Sequence, residues 1–171
     1  PHNVLLLVND NSPDSQEVAE HYARARGIHP RNRLYLATTT ELRIPFKDYA
    51  EQIREPVRAY LRESGLADQV LYIVATQGSP IRVDLSGKGK SVSLCAALQA
   101  LEADLDRVEG LGLGKGIKRN PYFQAGRAFS RDLELGTRIH LSTMLIGFDK
   151  EDAKALVDRA LEAESAPPPP G

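Results

Sequence analysis

The sequence predicts an α/β fold with an open, mainly parallel sheet of about four strands and helices on both faces. Three observations carry that expectation. First, short apolar runs rich in β-branched residues alternate with longer segments whose apolar residues recur at helical spacing, in the order strand, helix, repeated along the chain. Second, Val70, Leu71, Tyr72, Ile73 and Val74 form an unbroken apolar run, the pattern of a strand buried on both faces within a parallel sheet. Third, that run stops at the small polar turn Thr76, Gln77, Gly78, Ser79, Pro80. Such turns lie at the carboxyl ends of parallel strands, where α/β folds gather ligands. Alternation of this kind gives right-handed crossovers and a Rossmann-like, three-layer arrangement.

The elements follow in order. Asn3–Val8, NVLLLV, is the first strand, and Asn9, Asp10, Asn11 and Ser12 form its polar exit. Ser12 followed by Pro13 reads as an N-cap with proline at the first helical position. Val18, Tyr22 and Ala25 fall on one helix face, and Gly27 supplies the stop. Arg33–Ala37 is a second strand, and Thr38–Arg43 a loop. A helix is expected from Pro45 to Ser64, kinked or divided at Pro56, since proline removes a backbone donor and crowds the preceding turn. The strand of Val70–Val74 comes next, with Ile81–Val83 as an edge segment.

A third helix is marked by Val92, Cys95, Ala96, Leu98, Gln99, Leu101 and Leu105, capped by Ser91 or Ser93. From 107 to 136 the periodicity dissolves into an irregular insertion. Arg138–Ile146 is a fourth strand with Gly147–Asp149 as its exit. Asp149 and Asp152 begin a last helix with an apolar stripe of Ala153, Leu156, Val157, Ala160 and Leu161. Residues 1–164 are therefore read as one α/β domain, and 165–171 as a proline-rich tail or linker.

Composition narrows the function classes. The 22 basic and 23 acidic residues leave a net charge of −1 and are spread along the chain, which predicts no nucleic-acid partner. No apolar run is long enough to predict a membrane span. One cysteine, Cys95, allows no internal disulfide and no cysteine-based metal motif. The chain begins at Pro1 and shows no secretory signal, so exported and cytoplasmic locations are both allowed.

Four candidate sites each have a plainer reading. Asp84–Ser91 approaches a phosphate loop, but Asp84 stands where that motif has glycine and would repel phosphate; a solvated connection is preferred over a nucleotide site. Gly110, Gly112, Gly114 and Gly116 alternate at the wrong spacing for dinucleotide binding. Cys95 lies on a predicted apolar stripe and His140 inside a predicted strand, so core packing is preferred over a nucleophile–base pair. His2, His21 and His29 read as solvated. The remaining candidates are the strand exits, a possible ligand-binding set of Asn9, Asp10, Asn11, Thr76, Gln77, Gly78, Arg82 and Asp149 converging on one sheet edge. The alternative is that each only turns the chain or caps a helix. No catalytic residue, metal ligand or cofactor is assigned.

The segments NVLLLVNDNSPDSQEVAEHYARARGI, DYAEQIREPVRAYL, LYIVATQGSPIRV, SVSLCAALQAL, NPYF and DKEDAKALVDRALEAES resemble, in that order, a bacterial family of conserved proteins of unknown function. More distantly, the layout is similar to the first half of the gingipain-type cysteine peptidase domain, which implies a caspase-like α/β fold. In such enzymes the catalytic histidine and cysteine belong to the second half, so the resemblance carries no catalytic residue over to this chain. It also implies a lysine or similar group at Gln77, an acidic residue at Ser93, and Arg-Asp near Met144, Leu145 and Ile146; this chain has none of these. The expectation is a non-catalytic α/β scaffold or ligand-docking domain, the N-terminal half of a larger protein with a following domain as partner. The alternatives are part of a caspase-like hydrolase completed by a second half, and a nucleotide-binding module.

Overall fold

The computed structural model describes residues 2–85, 90–102 and 139–166. The 107–136 insertion with its glycine run and NPYF, most of the Lys88 loop, Leu105, Arg138 and the end of the proline-rich tail lie outside the described residues. Among the described residues the main sheet has four parallel strands: β1 (Val4–Asn9), β2 (Arg33–Leu36), β4 (Tyr72–Thr76) and β7 (Leu141–Leu145), in the order β2-β1-β4-β7. With helices on both sides, this is the open α/β fold that the alternating pattern predicts.

Every residue of β1 is buried. Its Leu5 and Leu7 join one core with Ile73 and Ala75, while Leu6 and Val8 join another with Val74. The alternation follows from the two-residue period of a strand. On the Leu6 side lies α1 (Pro13–Arg26), contributing Ala19 and Ala23, and α5 (Lys150–Ser165) packs beside it. On the Leu5 side lie α3 (Glu55–Glu63), contributing Val57 and Leu61, and α4 (Leu94–Gln99), contributing Ala97 and Leu98.

The expected caps are present. The Ser12 hydroxyl accepts from the Ser15 amide, Pro13 opens α1, and Gly27 closes it at φ 62° in the left-handed region. Asp149 caps α5 by accepting from the Asp152 amide at 2.9 Å. The helix expected over 45–64 is divided into α2 (Phe46–Tyr49), a π-turn over Ala50–Arg54 and α3. The Glu55 amide reaches back to the Ala50 carbonyl, five residues away, just before Pro56, which has no amide to donate.

Several expectations are corrected. The central strand starts at Tyr72, not Val70, and runs through Thr76; Tyr72 is 41 % exposed, so the run is not buried on both faces throughout. The segment read as a loop ends in β3 (Arg43–Pro45), which joins β5 (Arg82–Asp84) and β6 (Ser91–Ser93) in a separate three-stranded sheet. Strands of three residues are too short for period-2 alternation to reveal them. Val92 therefore belongs to β6, and Ser93 is the cap of α4, which stops at Gln99. Cys95 is only half-buried on that helix, and His140 precedes β7 but is buried, as the packed reading expects. On α5 the stripe narrows to Ala153 and Val157, with Leu156 exposed.

Candidate functional site

The strand order places a switch point between β1 and β4. The chain leaves β1 for β2 on one side, then returns past β1 to β4 on the other. Ligands of open α/β folds bind in the crevice beyond the carboxyl ends of two such strands. Here those ends are Asn9 and Thr76.

Asn9 is 1 % exposed and occupies the crevice with its own side chain. Its Nδ2 donates to the Thr39 carbonyl at 3.1 Å and to the Gly78 carbonyl at 2.7 Å. Its Oδ1 accepts from the Asn11 amide at 3.2 Å and the Thr38 amide at 3.3 Å. An asparagine amide offers two donors and two acceptor sites, so Asn9 is saturated. The side chain ties the exits of β1, β2 and β4 together.

Beneath it runs a hydroxyl relay. The Thr76 hydroxyl donates to the Leu7 carbonyl at 3.0 Å. Its oxygen is then the acceptor for the Ser15 hydroxyl at 2.6 Å, and Ser15 Oγ accepts from the Asn9 amide at 2.7 Å. Each hydroxyl donates once and accepts once, and all are buried.

Gly78 seals the opposite wall. At φ 79° it lies in the left-handed region, and a Cβ there would meet Ser12 Oγ at 2.0 Å. Gln77 fixes the exit of the neighbouring strand: its amide donates to the Leu145 carbonyl at 2.8 Å, and its Oε1 accepts from the Gly147 amide at 3.0 Å. Asn11 Nδ2 donates to the Thr38 carbonyl at 2.9 Å, and the Asp10 carbonyl accepts from Gln16 Nε2 at 2.8 Å.

Asn9, Asn11, Thr76, Gln77 and Gly78 thus converge, with Asp10 exposed at the rim. Two expected members do not belong. Arg82 lies on the second sheet, where Nε and Nη2 both donate to Ser91 Oγ. Asp149 is committed to capping α5. Sequence reading missed Ser15, Thr38 and Thr39. Ser15 carried a local signal, lying three residues after the Ser12 cap. Thr38 and Thr39 become partners only through the nonlocal β1–β2 pairing.

Little space is left. A cavity of about 10 Å³ remains between Leu7, Leu36, Ile53 and Leu94, with Asn9, Thr38 and Ser79 at its polar side. That is room for roughly one water, against several hundred Å³ for a small-molecule site. A larger open groove of about 430 Å³ lies along α1 beside Lys154 of α5. Its polar and charged walls are paired: Arg24 with Glu20 at 3.6 Å, the His21 ring with Asp158 at 2.7 Å, and Lys154 with Glu17 at 3.2 Å. Tyr49 is fully buried, and burial raises its phenol above the usual range, which keeps it protonated and unsuited to nucleophilic chemistry. Among the described residues, no group of His, Cys, Asp and Glu is placed to hold a metal ion, and no helix is long and apolar enough to cross a membrane.

The fold and crevice define an open α/β domain whose switch point is filled by its own side chains. No family model matches the chain, and no curated protein or solved structure matches it.

Proposed function

We propose that this chain is a non-catalytic α/β scaffold that acts through docking rather than through a small-molecule site. The observation that carries this reading is the saturation of Asn9 at the switch point. A binding crevice needs polar groups left over for a ligand, and here those groups are spent holding three strand exits together. Gln77, at the position where the resemblance implies a charge, instead positions the exit of β7. The scaffold serves as a unit of a larger assembly, with a further protein domain or chain as partner.

The test is an activity and ligand panel on the purified chain: peptide and ester substrates for turnover, and nucleotides with magnesium for thermal stabilisation. The expected result is neither turnover nor a shift. Reproducible peptide cleavage by the purified, folded chain would overturn the proposal in favour of a hydrolase of caspase-like descent. A shift with nucleotide would favour a nucleotide-binding module.

A further inference from the structure

Among the described residues, β7 forms one edge of the main sheet. The Leu141 amide donates to the Leu71 carbonyl, and the Leu145 carbonyl accepts from the Gln77 amide, so Leu141, Thr143 and Leu145 turn their backbone groups toward β4. In a strand, successive residues point these groups to opposite sides. Ser142, Met144 and Ile146 therefore aim their amides and carbonyls outward, away from β4. Natural sheets protect such an edge with charge, proline or a bulge. From Leu141 to Phe148 the sequence LSTMLIGF contains no charged residue and no proline. Leu141 and Ile146 are exposed, and Phe148 is 97 % exposed. The backbone at the end of this edge is held in place, since the Gly147 amide donates to Gln77 and the Phe148 amide to Asp152 Oδ2.

We infer that this edge is a homodimerisation surface, on which β7 of a second copy of this chain pairs antiparallel about a two-fold axis. This rests on the docking reading and names its partner. Two arguments select a second copy. An isolated peptide strand added to a parallel sheet leaves both of its faces bare, whereas a second β7 arrives with its own α4 and α5 packed against it. The uncharged edge can also meet itself without like-charge repulsion, which a two-fold interface requires. The alternation of outward groups sets the register. Met144 faces Met144 of the other copy, and Ser142 faces Ile146, each pair exchanging backbone hydrogen bonds. The result is one continuous sheet running through both copies.

Sedimentation equilibrium of the full chain, from about 1 to about 300 μM, reads the association directly. The expected result is a reversible dimer, weakened at least tenfold by Ile146→Lys, which places a charge on the edge, with circular dichroism unchanged. In a Cys95→Ser background, Met144→Cys is expected to form an intermolecular disulfide under mild oxidation. Paired Cα atoms about 5.5 Å apart fall within disulfide reach. Thr143→Cys, displaced beyond about 7 Å from its own copy, is expected not to cross-link. A chain that stays monomeric over the whole range, or that cross-links equally at both positions, overturns the inference. That outcome would leave the saturated crevice unaffected, whereas turnover by the chain would remove the scaffold reading and leave the dimer standing.

Discussion

At the residue scale, the unusual cost of changing Asn9 follows from its saturation. Asn9→Ala strips partners from the Thr39 and Gly78 carbonyls and from the Asn11 and Thr38 amides. Buried polar groups left unpaired cost about 1–3 kcal/mol each, and the rim groups can recover water. A loss of about 3 kcal/mol is expected, read as a lower denaturant midpoint at unchanged slope. The relay makes a sharper prediction. Thr76→Val is nearly isosteric but leaves the buried Ser15 hydroxyl without its acceptor and takes the side-chain donor, though not the ladder amide, from the Leu7 carbonyl, so about 2 kcal/mol should be lost. Thr76→Ser keeps the hydroxyl and removes one methyl, and should cost about 1 kcal/mol. Serine costing as much as valine would mean that packing, not the relay, makes this position important. Little of this was legible in the sequence. Residues 9 and 78 lie 69 positions apart, and only the β1–β4 pairing makes them neighbours.

At the element scale, α1 and α5 meet through surface ion pairs as well as apolar contacts. The Lys150 and Lys154 ammonium groups hold the Glu17 carboxyl below the usual carboxylate range, and Arg26 does the same for Glu164. A carboxylate depressed in the folded state stabilises above its unfolded value, here near 4.5, and loses that contribution as pH falls through its folded value. Glu17 raises Lys150, and Glu151 together with Glu17 raises Lys154, above 10.5, so their contribution is full below that pH and fades above it. Melting temperature should thus be flat through neutral pH and decline below about pH 4.5. Glu17→Gln combined with Glu164→Gln should shallow that decline, and about 1 M salt should do the same, because these charges are exposed and screened. A decline untouched by the double variant would place the acid sensitivity elsewhere. Caps were the part of these helices legible beforehand, since Ser12-Pro13, Gly27 and Asp149 act within a few residues of themselves. The π-turn before Pro56 was foreseen only as a kink or a division of the helix, because proline says where a donor is lost but not how the preceding turn re-registers.

For the whole molecule, the sheet order decides which parts are most protected, and the alternating sequence foretold the sheet but not that order. Nothing local in LSTMLIGF distinguishes an edge from a centre; that it lies beside β4 is a property of the whole chain path. Amide hydrogen exchange separates the two cases residue by residue. β1 has neighbours on both sides and is fully buried, so the amides of Leu5–Val8 should exchange only by global opening. In β7 the Thr143 and Leu145 amides face β4 and should be slowed, while those of Ser142, Met144 and Ile146 face outward and should exchange rapidly at about 1 μM protein. Raising the concentration to about 300 μM should slow the outward set at least tenfold if a second β7 pairs there, while the inward set, already bonded, changes little. Rapid exchange of Ser142, Met144 and Ile146 at every concentration would mean that no second strand lies along this edge. Equal protection of both sets at low concentration would mean that the edge is already covered within one chain. The two-residue alternation makes the pattern diagnostic, because a general gain in stability would slow inward and outward amides alike, whereas strand addition protects only those that face away from β4.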